Sequence, residues 1–267
     1  MSTPRDRLLV DVARLAALPR ERLVILAAGR RGDFTGETGV VPGAIPVTLE
    51  DDLAGEAHGV RGRLPLPEPA ALTERLRRWG VHDDSVVVVY AATPTTTPSV
   101  ATRAWFVLRW AGLPDVRLLD GGADAWRRAG YPLVPPLPLA GAPGTATARP
   151  GHLPTLDADE AALAARRGPL YDTRSGDQFA LGHIPGAASL PVGQVFRDGR
   201  LLPPQELAAR VGYTGDDGPP PAAYCGGGVA ATGVAFAFAT LGVTVPVYVA
   251  SWSGWTADAD RPVATGA

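Results

Sequence analysis

The sequence predicts an α/β protein made twice over: two tandem domains, each a mainly parallel sheet with helices on both faces. Three observations lead there. Short apolar runs alternate with helical segments, a proline-rich stretch divides the 267 residues near their middle, and the same order of features recurs on either side of it. Parallel neighbours need a crossover connection, and a helix is the usual one.

The first matched feature is VVPGAIPV at 40–47, which recurs as HIPGAASLPV at 183–192 with Pro42, Gly43 and Ala44 aligned on Pro185, Gly186 and Ala187. After each comes a polar stretch, a helical segment and an apolar run ending in tyrosine, VVVVY at 86–90 and AAY at 222–224. Each run opens into a loop and an amphipathic helix, SVATRAWFVLRWAGL from Ser99 and VAATGVAFAFATLGV from Val229. Both helices close on a glycine that can take a left-handed C-cap. A further β-run is expected over VRLLDGGADAW at 116–126 and over VYVASWSGW at 247–255. Matched features lie 129 to 143 residues apart, a period of domain size. Residues 134–154 hold six prolines without apolar periodicity and read as an extended surface linker. The expected boundaries are an N-terminal domain over 1–140, a linker over 141–154 and a C-terminal domain over 155–267.

Composition sets the class. Hydrophobic residues make up 46 %, charged residues 19 %, and the formal net charge is -2, which suits a soluble globular chain and argues against a nucleic-acid binder. All 25 cationic side chains are arginine, from which no function is taken. Charges at Arg5, Asp6, Arg7, Asp11 and Arg14 interrupt any signal-peptide core, and no segment reaches 18 uncharged apolar residues. A cytoplasmic chain without a membrane span is therefore expected. Cys225 is the only cysteine, so no internal disulfide forms; no CxxC pair occurs, and His58, His82 and His152 lack metal-ligand spacing.

The densest signal is YCGGGVAAT at 224–232. A strand ends, cysteine follows at once, three glycines remove every side chain, and a helix begins near Val229. Glycine lets backbone N–H groups turn toward one point, and a helix N-terminus adds unpaired amides and the positive end of its dipole. Negative charge on the Cys225 sulfur is stabilised by such a ring of donors. A lone cysteine in an α/β protein is more often a small core residue, but a core residue has no use for three glycines behind it. A phosphate-binding glycine loop would show GxxxxGK[ST], which is absent. A cysteine-dependent phosphatase needs arginine six positions on to clamp the phosphoryl group, and position 231 is alanine.

YCGGGVAAT resembles the active-site loop of the tandem rhodanese-like proteins, the thiosulfate and 3-mercaptopyruvate sulfurtransferases. DTRSGDQF at 172–179, GHIPGA at 182–187 and SWSGWTADADRPVATG at 251–266 are similar to further signatures of that family, and LLDGGADAW at 118–126 to the equivalent element of the first half. The resemblance implies a double displacement in which Cys225 takes the outer sulfur of a donor as a persulfide and passes it to cyanide or a thiol. The amides of Gly226, Gly227, Gly228, Val229 and Ala230 would hold the anion, with no metal or organic cofactor. Ala91 stands at the place matching Cys225 in the first half, so that domain is expected to be catalytically silent.

The loop CGGGVA is closer to the CG(S/T)GV pattern of the mercaptopyruvate enzymes than to the basic loop of the thiosulfate enzymes. Mercaptopyruvate enzymes carry a carboxylate-binding arginine a few residues beyond the DxR element, where this chain has Gln178. Arg174 either offers a cation to the pocket or pairs with Asp172. Trp252 either stands at the pocket rim or packs in the core, and His183 is expected to stabilise its turn. Expected partners are a small-molecule sulfur donor, a thiol or cyanide acceptor and a thioredoxin-like reductant, with neither nucleic acid nor membrane. A persulfide-sensing or docking module without enzymatic activity is the alternative reading.

Overall fold

The computed structural model describes residues 2–34, 39–95, 97–136, 142–212 and 220–266. Part of the expected linker region, 137–141, lies outside the described residues. The chain forms two compact units: residues 1–55, 67–153 and 198–200, and residues 56–66, 154–197 and 201–267. The second unit thus takes in an eleven-residue segment, 56–66, from within the first half of the sequence.

The first unit holds β1 (Leu9–Val10), β2 (Leu23–Gly29), β3 (Ala44–Thr48), β4 (Val86–Ala91) and β5 (Asp115–Leu119) in one sheet of order β1-β5-β4-β2-β3, every pair parallel. LVILAAG and VVVVYA are almost wholly buried, as central strands covered on both faces must be. Flanking them are α1 (Pro4–Leu8), α2 (Val12–Ala17), α3 (Pro69–Arg78), α4 (Ser99–Trp110) and α5 (Gly122–Arg128). Capping side chains of Thr3 and Asp11 start α1 and α2. In α4 eight consecutive residues, Ala101–Leu108, are buried, and Gly112 at φ 95° ends the run in the left-handed region.

The second unit repeats the plan. It contains β6 (Thr155–Leu156), β7 (Leu170–Asp172), β8 (Ala188–Ser189), β9 (Phe196–Arg197), β11 (Ala222–Tyr224) and β12 (Val247–Tyr248). A short strand β10 (Arg200–Leu201), which pairs with β9 in a separate two-stranded sheet, begins at Arg200, the last residue of the 198–200 segment. Its sheet order, β6-β12-β11-β7-β8, is that of the first unit strand for strand, again all parallel. Around it stand α6 (Ala158–Arg167), α7 (Gly176–Leu181), α8 (Pro204–Val211), α9 (Ala230–Thr240) and α10 (Ser251–Trp255). All but Ala230 and Ala239 of α9 are buried, so this helix is covered on every side.

Side chains explain why the matched motifs recur. The Tyr90 hydroxyl accepts a hydrogen bond from the Val41 amide at 2.9 Å, and Tyr224 accepts from Ile184 at 3.1 Å, so the strand-end tyrosine pins the Pro-Gly-Ala turn in both units. Gly43 and Gly186 in those turns have φ of 83° and 84°. Trp126 and Trp255 each donate from Nε1 to a proline carbonyl, Pro132 and Pro262, both at 2.9 Å.

Two expectations are corrected. The β-runs read over 116–126 and 247–255 stop at Leu119 and Tyr248, and their second halves are the helices α5 and α10. Apolar spacing in GADAW and SWSGW is too short to distinguish the two periods. The described part of the proline-rich segment is extended but partly covered: Ala146 and Ala148 are buried, and amides of Gly144, Ala146, Arg149 and His152 donate to carbonyls of Arg77, Val81, Ala111 and Trp110. Alanines and glycines can lie flat on a surface that larger residues would leave.

Candidate active site

β11 ends at Tyr224 and delivers Cys225 to the head of α9. Cys225 is 2 % exposed, and its Sγ accepts the Gly228 amide at 3.1 Å. Gly228 reaches that geometry at φ 82°, where a β-carbon is strained. The loop carbonyls are turned the other way: Cys225 C=O accepts from the Trp252 amide at 2.9 Å, and Gly226 C=O from the Ser253 amide at 3.1 Å. The first amides of α10 thus hold the backs of two peptide units. The amides of Gly226, Gly227 and Val229 donate to no protein acceptor among the described residues, and α9 begins directly after them at Ala230. Such an arrangement offers several dipoles to an anion on or beside the sulfur.

Ser251 is the residue that sequence reasoning missed here. Its hydroxyl accepts from the Cys225 amide at 3.1 Å, donates to the Tyr248 carbonyl at 2.9 Å and lies 3.7 Å from Cys225 Sγ. Ser251 is fully buried and has φ 57°, in the left-handed region that glycine favours. The matching residue of the first unit is Gly122, also at φ 57°. A signal was present: where one repeat has glycine, the other keeps a serine against its backbone preference. Strain of this kind persists where the side chain is held by its surroundings.

Arg174 pairs with Asp172. Its Nε lies 3.0 Å from both Asp172 carboxylate oxygens, and its Nη2 donates to Asp172 Oδ2 at 2.5 Å and to the Gly182 carbonyl at 2.6 Å. The guanidinium lies over Trp252, 4.5 Å from the ring centroid. Trp252 is half-buried, and the same ring approaches Gly182, where a β-carbon would meet it at 3.1 Å. Burial, and then the Asp172 carboxylate, raise the Tyr224 phenol well above its ordinary range, so it remains a neutral hydroxyl in this cluster. Gln178 is exposed on α7, and its amide is capped by the Ser175 hydroxyl at 3.4 Å. His183 stacks on Phe179 at 3.8 Å, with Nδ1 2.9 Å from the Phe179 carbonyl.

A second residue outside the sequence expectation comes from segment 56–66. Arg63 lies beside the glycine loop: a β-carbon on Gly226 would be 3.2 Å from Arg63 Nη2, and one on Gly227 would be 3.5 Å from its Nε. A β-carbon on Gly226 would press on the guanidinium, and one on Gly227 would stand in ordinary contact with it. At the place in the first unit that matches Cys225, Ala91 is buried, and a β-carbon on Gly122 would stand 2.9 Å from its carbonyl oxygen. Among the described residues no group of three or more His, Cys, Asp or Glu side chains could hold a metal ion. Among the same residues no helix is long and apolar enough to cross a membrane.

The model of the rhodanese-like domain family matches this chain twice, over residues 8–129 and 157–258. A Pseudomonas aeruginosa protein named "Probable 3-mercaptopyruvate sulfurtransferase" is 39 % identical over 250 residues, covering 85 % of this chain and 84 % of its own length. A Mycobacterium tuberculosis protein named "Putative thiosulfate sulfurtransferase SseB" is 36 % identical over 249 residues, covering 85 % of this chain and 84 % of its own length. Among solved structures, SseA from Escherichia coli, described as a 3-mercaptopyruvate sulfotransferase of "Rhodanese" fold, is similar with a TM-score of 0.76 and 27 % identity, over 92 % of this chain and 98 % of that one.

Proposed function

The chain belongs to the rhodanese family of sulfurtransferases, and from that premise we propose that it moves sulfane sulfur through a persulfide on Cys225, taken from thiosulfate or 3-mercaptopyruvate and given to cyanide or a thiol. The observation that carries this reading is the Gly228 amide 3.1 Å from Cys225 Sγ, in a loop whose Cys225 and Gly226 carbonyls are bonded to amides of α10.

In the first half-reaction the Cys225 thiolate attacks the outer sulfur of the donor. A new S–S bond forms as the donor's bond to that sulfur breaks, and its electron pair leaves on sulfite, or on the enolate of pyruvate, which then takes a proton. In the second, the carbon of cyanide or the sulfur of a thiolate attacks the outer persulfide sulfur, and the pair of the broken S–S bond returns to Cys225 as thiolate. Splitting one transfer into two gives each step a good leaving group. The amides of Gly226, Gly227 and Val229, without a protein acceptor among the described residues, would stabilise the anionic persulfide, and no cofactor enters the electron balance.

The first unit is silent in this reading, because Ala91 brings no sulfur to the matching strand end. A thioredoxin-like dithiol is a fitting acceptor: one thiol takes the sulfur as its own persulfide, and the second attacks the inner sulfur of that persulfide, forming a disulfide and releasing hydrosulfide. A reducing, cytoplasmic setting agrees with a lone cysteine that must remain unpaired between turnovers. Intact-mass measurement after exposure to either donor tests the proposal. The expected result is a gain of one sulfur, removed by cyanide with release of thiocyanate and absent in Cys225→Ser; an unchanged mass with both donors would sink it.

A further inference from the structure

Substrates of the proposed reaction are anions, yet the cation nearest in the sequence to a DxR reading is engaged elsewhere. Arg174 has Nε and Nη2 bound to Asp172 and the Gly182 carbonyl, and Gln178, at the expected position of a carboxylate-binding arginine, is an exposed neutral side chain. Arg63 has the opposite character. Its residue is exposed, and its guanidinium has no hydrogen-bond or ion-pair partner among the described residues. It lies over Gly226 and Gly227, the two residues directly after Cys225.

The backbone of segment 56–66 fixes it there. The Arg63 amide donates to the Ser253 hydroxyl at 3.1 Å, on the helix whose amides hold the Cys225 loop. Two glycines let the backbones close: a β-carbon on Gly62 would be 2.5 Å from the Ala250 carbonyl oxygen, and one on Gly254 2.6 Å from the Val60 carbonyl oxygen. Gly62 also has φ 81°. A planar cation with five donors is thereby set beside loop amides that have no protein acceptor among the described residues, the arrangement that takes a carboxylate or sulfonate oxygen pair.

We propose that Arg63 binds the anionic group of the sulfur donor and is a specificity-determining residue of the site. This rests on the reading of Cys225 as the sulfur carrier. The donor class is a small molecule with a transferable sulfur and a carboxylate or sulfonate within a few bonds of it. Recognition of charge then comes from segment 56–66, while the DxR element keeps a structural role.

The test compares a charged and a neutral reagent of nearly equal size on the full chain. Rates of Cys225 alkylation by iodoacetate and iodoacetamide are followed by intact mass in the wild type, Arg63→Ala and Arg63→Lys. The expected result is a roughly tenfold fall in the iodoacetate-to-iodoacetamide ratio in Arg63→Ala, the size of one charge-assisted hydrogen bond, with most of it restored in Arg63→Lys. Steady-state assays with thiosulfate and 3-mercaptopyruvate should show a KM about tenfold higher in Arg63→Ala with kcat within about twofold. An alkylation ratio within about twofold of wild type in Arg63→Ala would overturn the assignment of Arg63 while leaving Cys225 untouched. A wild type that neither alkylates at Cys225 nor gains sulfur from any donor would instead remove the reading on which it rests.

Discussion

Replacing Ser251 separates backbone strain from hydrogen bonding at the site. Ser251→Ala removes the acceptor 3.1 Å from the buried Cys225 amide and the donor 2.9 Å from the Tyr248 carbonyl, while φ stays near 57°. An unsatisfied buried amide costs about 1–3 kcal/mol and a lost neutral hydrogen bond about 1 kcal/mol, so Ser251→Ala should destabilise by about 2–4 kcal/mol. Ser251→Gly loses the same two bonds but relieves the left-handed strain, about 1 kcal/mol. Glycine should therefore be the better tolerated of the two by about 1 kcal/mol, although at an ordinary helical position it would be the worse by a similar amount. Urea denaturation of both variants beside the wild type, followed by tryptophan fluorescence and with matching m-values required, gives the difference. Ser251→Ala as stable as Ser251→Gly, or more so, would refute the claim that Ser251 is held in an unfavourable conformation for the sake of its hydroxyl.

Other outcomes follow from the same geometry. Asp172→Asn leaves the Arg174 guanidinium buried beside a neutral amide; breaking such a pair should cost about 3–5 kcal/mol, read as a lowered denaturation midpoint. Gly228→Ala places a β-carbon at φ 82° on the residue whose amide reaches Sγ, and should both cost about 1 kcal/mol of stability and slow persulfide formation in stopped mass-spectrometric time courses. Gly62→Ala forces segment 56–66 away from α10 and should raise the donor KM as Arg63→Ala does, with the Arg63→Ala, Gly62→Ala pair showing no further rise. Tyr90→Phe and Tyr224→Phe each remove the hydroxyl that pins a Pro-Gly-Ala turn and leave a buried amide without an acceptor, and both should lower the melting temperature by an amount corresponding to about 1–3 kcal/mol.

The fold was legible because each repeated motif has a local physical cause. Tyrosine at a strand end, Pro-Gly-Ala at a turn and a glycine after an apolar helix carry their meaning within a few residues, and the two sheets match in strand order. Cys225 and its glycines were legible for the same reason. Arg63 was not: it precedes Cys225 by more than 160 residues, and nothing in GVRGRLPLP says which sheet its segment lies on. Its placement follows from close approach at Gly62 and Gly254, which only three-dimensional packing reveals. Ser251 stood in a run read as strand, and only its match to Gly122 could have exposed it. The DxR arginine offered two roles in the sequence, and the bond from Nη2 to the Gly182 carbonyl, eight residues away, shows which its geometry serves.

The two carbonyls fastened to the head of α10 have a consequence for how the site would respond to turnover. A loop whose peptide planes are already fixed does not have to reorient when charge arrives, so a sulfur added to Cys225 would meet dipoles aligned beforehand, as a stiff cavity does and a solvent shell does not. Loaded and unloaded forms should then share one backbone path, differing by a single atom. A second substrate would then meet the same Cys225 loop backbone whichever form it entered.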